Sequence, residues 1–156
     1  MKTLILYASK YGAAGEIARL IAQRMDDAVL HDLKQESAPD LNRFDCVIIG
    51  SSLYAGMIRK EAKTYMAQNE GALREKRLGL FLSGVGAERA DGYFKANFPA
   101  GLLREAKAAS FLGGIYDPAK AGALERLIMK LVAKQGGYIN TIDREGIGRF
   151  AEELIA

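Results

Sequence analysis

The sequence predicts an α/β chain built on a doubly wound sheet of five parallel strands in the order 2-1-3-4-5. Three observations carry that expectation. Short β-branched runs alternate with amphipathic helical patterns along the chain. One run, FDCVIIG at 44–50, is apolar on both faces, as a central parallel strand must be. Loops of small residues leave the ends of three strands, which is where an open sheet binds its ligand.

Residues 4–8 read as the first strand. Residues 15–25 place Ile17, Leu20, Ile21 and Met25 on one face of a helix. Residues 28–33 are a weaker second strand, and Pro39-Asp40-Leu41-Asn42 is a turn. After the central strand, 60–69 is helical, 78–83 (LGLFLS) is a fourth strand, and 94–107 is helical around Pro99-Ala100-Gly101. Residues 108–116 (AASFLGGIY) read as the fifth strand and 144–155 as the closing helix. The 156 residues form one domain without linker or repeat.

One segment exceeds this plan. Residues 117–143 are far longer than a strand-to-helix loop requires. They contain a helix with an apolar stripe of Leu124, Leu127, Ile128, Leu131 and Val132. Arg126, Lys130 and Lys134 make a basic row on one flank. Such a stripe predicts packing against the core. The alternative is a contact surface for a membrane, a quinone or a protein, with basic side chains snorkelling beside an apolar face.

Hydrophobic residues make up 49% of the chain and charged residues 26%, so disorder is excluded. A net charge of +3 suits an anionic ligand or partner but is too small to imply nucleic acid. The single cysteine, Cys46, rules out an internal disulfide, and its apolar setting predicts a buried small hydrophobe. With one histidine, His31, no metal cluster can be assembled, and mid-strand it reads as structural. The apolar run at the start is too short for a signal peptide, and no stretch approaches a membrane span. The expectation is a cytoplasmic protein, peripheral at a membrane if the insert is a contact surface.

The first candidate loop is Ser9-Lys10-Tyr11-Gly12-Ala13-Ala14, between strand one and helix one. Its glycine and the N–H groups of the helix start suit a phosphate. The second is Ser51-Ser52-Leu53-Tyr54-Ala55-Gly56 and the third Ser83-Gly84-Val85-Gly86. Small residues in both admit a flat ligand, and Tyr54 offers a ring to stack on it, with Tyr93 a further aromatic nearby. Gly12-Ala13-Ala14-Gly15-Glu16-Ile17 is not the dinucleotide fingerprint, no Walker loop exists, and neither Ser52 nor Ser83 lies in a hydrolase elbow. No aspartate ends strand three, which excludes a phosphorylated receiver domain.

The opening MKTLILYASKYGAAGEIARLIA resembles the phosphate loop of flavodoxins, usually [TS]-x-T-G-x-[TS]. With VIIGSSLYAGMIRKEAKTYM, the LIMKLVAKQGG insert helix and the final amphipathic helix, the chain resembles, end to end, flavodoxin-like proteins that include menaquinone-dependent protoporphyrinogen oxidase. That resemblance implies noncovalent FMN, with its phosphate on Ser9 to Ala14 and its ring against the other two loops. Tyr11 and Ala14 depart from the pattern, so that of two hydroxyl donors one is changed and one is missing, while the backbone cradle remains. The activity implied is an FMN-dependent oxidoreductase passing electrons from an organic substrate to a quinone. The alternative is an electron carrier between protein partners, although such carriers tend to be acidic and this chain is basic. No side chain stands out as a catalytic acid or base. Arg59 and Lys60 are candidates to attract an anionic substrate.

Overall fold

The computed structural model describes residues 1–132 and 137–156. Strand β1 (Lys2–Ala8) alternates its side chains between two apolar layers, with Leu4, Leu6 and Ala8 on one face and Ile5 on the other. It lies between β2 (Asp27–Asp32) and β3 (Cys46–Tyr54), and β3 pairs in turn with β5 (Arg77–Ser83), all in parallel. Strand β6 (Ala108–Phe111) completes the order β2-β1-β3-β5-β6. With the short hairpin strand β4 (Met57–Ile58) set aside, this is the expected 2-1-3-4-5 sheet.

Helices cover both faces. On one side α1 (Ala13–Ala22) and α6 (Arg144–Ile155) bury Ile17, Ile21, Phe150 and Leu154 against Ile5, Ile48 and Phe81. On the other, α2 (Lys60–Arg74), α3 (Ala90–Asn97) and α4 (Ala100–Glu105) bury Met66, Phe94 and Leu102 against Leu4, Val47 and Leu80. Burying side chains of this size contributes ~1.5–3 kcal/mol each, which makes the two layers the main source of stability. Cys46 lies in the first layer, where burial pushes its thiol up and keeps it protonated.

Two strands differ from the sequence expectation. Strand β3 does not end at Gly50; it continues through Tyr54 and turns back on β4. The turn is two residues long, with Ala55 at φ 50° and Gly56 at φ 77°, and left-handed values at both positions match the twist of the flanking strands. The fifth strand is shorter than 108–116. It stops at Phe111, because Gly113 takes φ 78° and lies so close to Thr141 that a Cβ there would sit 1.8 Å from its carbonyl oxygen. Beyond this kink β7 (Ile115–Tyr116) pairs antiparallel with β8 (Ile139–Asn140).

Between β7 and β8 stands the insert helix α5 (Ala123–Val132). Met129 is buried with Tyr116 and Ala121 in a small core of its own, against Val85 and Ile139. The apolar stripe does not pack inward as a whole: Leu124, Leu127 and Leu131 are 61%, 53% and 70% exposed. Lys134, at the end of the basic row, lies outside the described residues. No helix among the described residues is long and apolar enough to cross a membrane.

Candidate functional site

The carboxyl ends of β1, β3 and β5 lie side by side, as the pairings Ala8 with Ser51 and Ser52 with Ser83 show. The three loops singled out from the sequence therefore meet at one edge of the sheet, where its order reverses.

At the end of β1 the chain makes a tight turn. The Gly12 N–H donates to Ser9 Oγ at 2.8 Å, and Gly12 takes φ 98° immediately before α1. A Cβ at Gly12 would meet nothing within 4 Å, so glycine is required for the backbone angle and the space beside it stays open. No side chain caps α1, which leaves the N–H groups of its first turn directed at that space. Ala14 is wholly buried and Ala13 nearly so. Where the family pattern has a hydroxyl, the Ala14 methyl is part of the core, and only its N–H can serve a ligand.

The second loop is a hairpin rather than a free loop. Ser51 is 1% exposed, and its hydroxyl donates to the Ser52 carbonyl at 3.0 Å while accepting from the Arg59 N–H at 2.9 Å. It fixes the hairpin to the start of α2. Ser52 Oγ accepts from the Lys10 N–H at 3.1 Å and so ties the first loop to the second. Lys10 Nζ lies 3.5 Å from the centre of the Tyr54 ring and 5.2 Å from that of Tyr11.

Asn97 holds the hairpin from the other side. Its Oδ1 accepts from the Ile58 N–H at 3.0 Å, and its Nδ2 donates to the carbonyls of Gly56 at 2.8 Å and Tyr93 at 2.9 Å. Nothing in the sequence pattern marks this asparagine, since its partners are backbone groups from distant segments. Tyr93 bridges the second and third loops: its ring would touch a Cβ on Gly56, and its hydroxyl one on Gly86.

These elements enclose a cavity of about 390 Å³, within the range of small-molecule sites. Leu53, Tyr54, Ala55 and Gly56 wall it from the hairpin, and Gly84, Val85 and Gly86 from the third loop. A pocket of about 40 Å³ adjoins it, lined by Lys10, Tyr11, Ala13, Ser52 and Ser83. Ser9, Gly12, Ala14 and Ser51 line neither; they shape the turn and the hairpin behind them.

The insert supplies a wall the sequence did not announce. Ile115, Tyr116, Glu125, Ile128 and Met129 all line the larger cavity. Glu125, Ile128 and Met129 stand at i, i+3 and i+4, on one face of α5. Leu124, Leu127 and Leu131 line neither cavity and leave another side of that helix uncovered. Arg59 and Lys60 do not reach either cavity; the arginine that does is Arg89, beside Glu88. His31 stays on edge strand β2, half-buried and outside both linings. No cluster of three or more potential metal ligands occurs among the described residues.

Two buried polar atoms facing this region have no partner among the described residues: Ser83 Oγ and Glu125 Oε2. An unpaired buried group costs about 1–3 kcal/mol, so both atoms are expected to take a polar partner in the adjoining space. With the uncapped start of α1 and the adjoining cavity, they fit a ligand that carries a phosphate at one end and a flat ring at the other.

Residues 4–141 match the family model described as a flavodoxin domain. No curated protein sequence matches the chain. Among solved structures it is similar to oxidised Flavodoxin 2 from Bacillus cereus, at 21% identity and TM-score 0.62, covering 99% of this chain and 98% of that one. It is also similar to a Streptococcus pneumonia flavodoxin, at 17% identity and TM-score 0.55, covering 99% and 98%. A Lactobacillus acidophilus flavoprotein in complex with FMN matches at 18% identity and TM-score 0.51, covering 72% of this chain and 91% of that one.

Proposed function

The chain belongs to the flavodoxin-domain family, and from that premise we propose that it binds FMN and transfers electrons through it. The observation that carries this reading is the continuity of the site. An uncapped helix start at Gly12 opens beside a cavity walled by a tyrosine hairpin and a glycine loop. The N–H groups at the start of α1 would hold the phosphate, with Lys10 as the nearest cation lining the small pocket. Tyr54 and the Gly84–Gly86 loop would bound the ring. Bound FMN supplies one- and two-electron redox chemistry, and the protein's part is to orient the ring, exclude water and set its electrostatic surroundings. Ser51 and Asn97 serve by fixing the hairpin, and Tyr93 by bridging the two ring-facing loops.

Transfer between protein partners, as an electron carrier, is the reading that neighbours named as flavodoxins support. A second reading, an oxidoreductase resembling the quinone-linked protoporphyrinogen oxidases, is favoured by the insert. Helix α5 walls the cavity with Ile128 and Met129 while leaving Leu124, Leu127 and Leu131 exposed, with Arg126 and Lys130 exposed on one flank of them. That outer face would suit a quinone acceptor, or contact with an anionic membrane that holds one. One experiment separates the two: supply the FMN-loaded protein with a flavodoxin reductase or with protoporphyrinogen and a quinone. Reduction by the first without oxidation of the second establishes the carrier. Quinone-dependent oxidation of porphyrinogen establishes the enzyme.

A further inference from the structure

The cavity of about 390 Å³ and the pocket of about 40 Å³ share four lining residues: Leu53, Gly84, Ile115 and Glu125. These four form the neck between them. Leu53 and Ile115 are apolar and Gly84 has no side chain, so Glu125 is the polar group of the neck. It stands in the first turn of α5. Its Oε2 is buried and without a partner among the described residues. Ser83, at the end of β5, lines the small pocket just beyond the neck, and its buried Oγ is likewise unpartnered.

A carboxylate only accepts hydrogen bonds, so what completes Glu125 must be a donor. A hydroxyl such as Ser83 both donates and accepts. The complement to the two is a chain bearing hydroxyl groups. If the phosphate sits at the start of α1 and the ring in the larger cavity, the segment joining them must cross this neck. We propose that Glu125 and Ser83 recognise the ribityl polyol of the flavin, the insert helix contributing its carboxylate to the cofactor rather than to a substrate. This assignment rests on the FMN reading above. It gives the insert a binding role: α5 closes on the ligand through one hydrogen-bonding side chain, while its outer face remains free.

The test is a cycle of binding constants by flavin fluorescence titration. FMN and its 2′-, 3′- and 4′-deoxy analogues are each titrated into wild type, Glu125→Leu, Glu125→Gln and Ser83→Ala, with thermal unfolding of each variant as the control for folding. Glu125→Leu is expected to weaken FMN about tenfold, or 1.4 kcal/mol. For one deoxy analogue, wild type and Glu125→Leu should bind alike, because the lost hydroxyl and the lost carboxylate are the same interaction. Glu125→Gln, whose amide oxygen still accepts, should retain most of the affinity. Ser83→Ala should show the same non-additivity with a neighbouring hydroxyl. Unchanged FMN affinity in Glu125→Leu, or additive losses with all three analogues, overturns the assignment and leaves the FMN reading standing. Wild type that binds no FMN overturns both.

Discussion

Gly12 takes φ 98°, and that angle turns the chain from β1 into α1 with the first N–H groups facing open space. A branched side chain at such an angle is strained by about 1–3 kcal/mol, and the turn must open to relieve it. Gly12→Val is therefore expected to weaken FMN binding by about 2 kcal/mol, measured by titration of the folded variant. Unchanged affinity would place the phosphate elsewhere. The small residues of this loop were legible in the sequence, but not their individual duties. Ser9, Ala14 and Ser51 lie in the right segments and yet face inward, since a segment's composition does not reveal which way each side chain points. Tyr65 supplies a residue-scale test of packing. Burial disfavours its phenolate and raises its pKa from 10.0 to about 12. The unfolded chain ionises first, so the stability contributed by Tyr65 is complete below pH 10 and is lost between pH 10 and about pH 12. For a side chain that is only half-buried the loss is discounted to ~1–2 kcal/mol. Chemical denaturation at about pH 9 and about pH 11 should show a steeper fall for wild type than for Tyr65→Phe; parallel falls would mean the phenol is solvated.

Among the elements, the insert shows where sequence periodicity runs out. The spacing of Leu124, Leu127, Ile128 and Leu131 predicts a helix, and α5 is there. It cannot say which side of the helix meets the protein. Glu125, Ile128 and Met129 face the cavity, and the leucines are left outside, because the insert packs on the mouth of the site and not on the sheet. The kink that sets this geometry, at Gly113 against Thr141, was equally hidden: AASFLGGIY reads as one strand until the close approach of a distant segment is known. If the exposed face is a membrane contact, Arg126→Glu with Lys130→Glu should weaken sedimentation with anionic vesicles by ~1 kcal/mol per charge. FMN affinity should not change, since both side chains are exposed and line neither cavity. Vesicle binding that ignores the charge reversal would contradict the membrane role and leave the face to a protein partner. Lys134 extends the same row in sequence but lies outside the described residues.

Across the whole molecule, the alternation of β-branched runs and amphipathic helices was sufficient to predict a doubly wound sheet, while the order of its strands came with the flavodoxin-like resemblance. Such a sheet brings the ends of β1, β3 and β5 together whatever the loops contain, which is why the meeting of the three loops was legible in the sequence while the wall added by the insert was not. In the proposed reading one continuous site holds both the phosphate and the ring of FMN. The most direct measurement is a parallel titration of apoprotein with FMN and with riboflavin, which differ only in the phosphate. FMN is expected to bind at least tenfold more tightly, a difference of about 1.4 kcal/mol or more carried by the start of α1. Equal affinities for the two would contradict it.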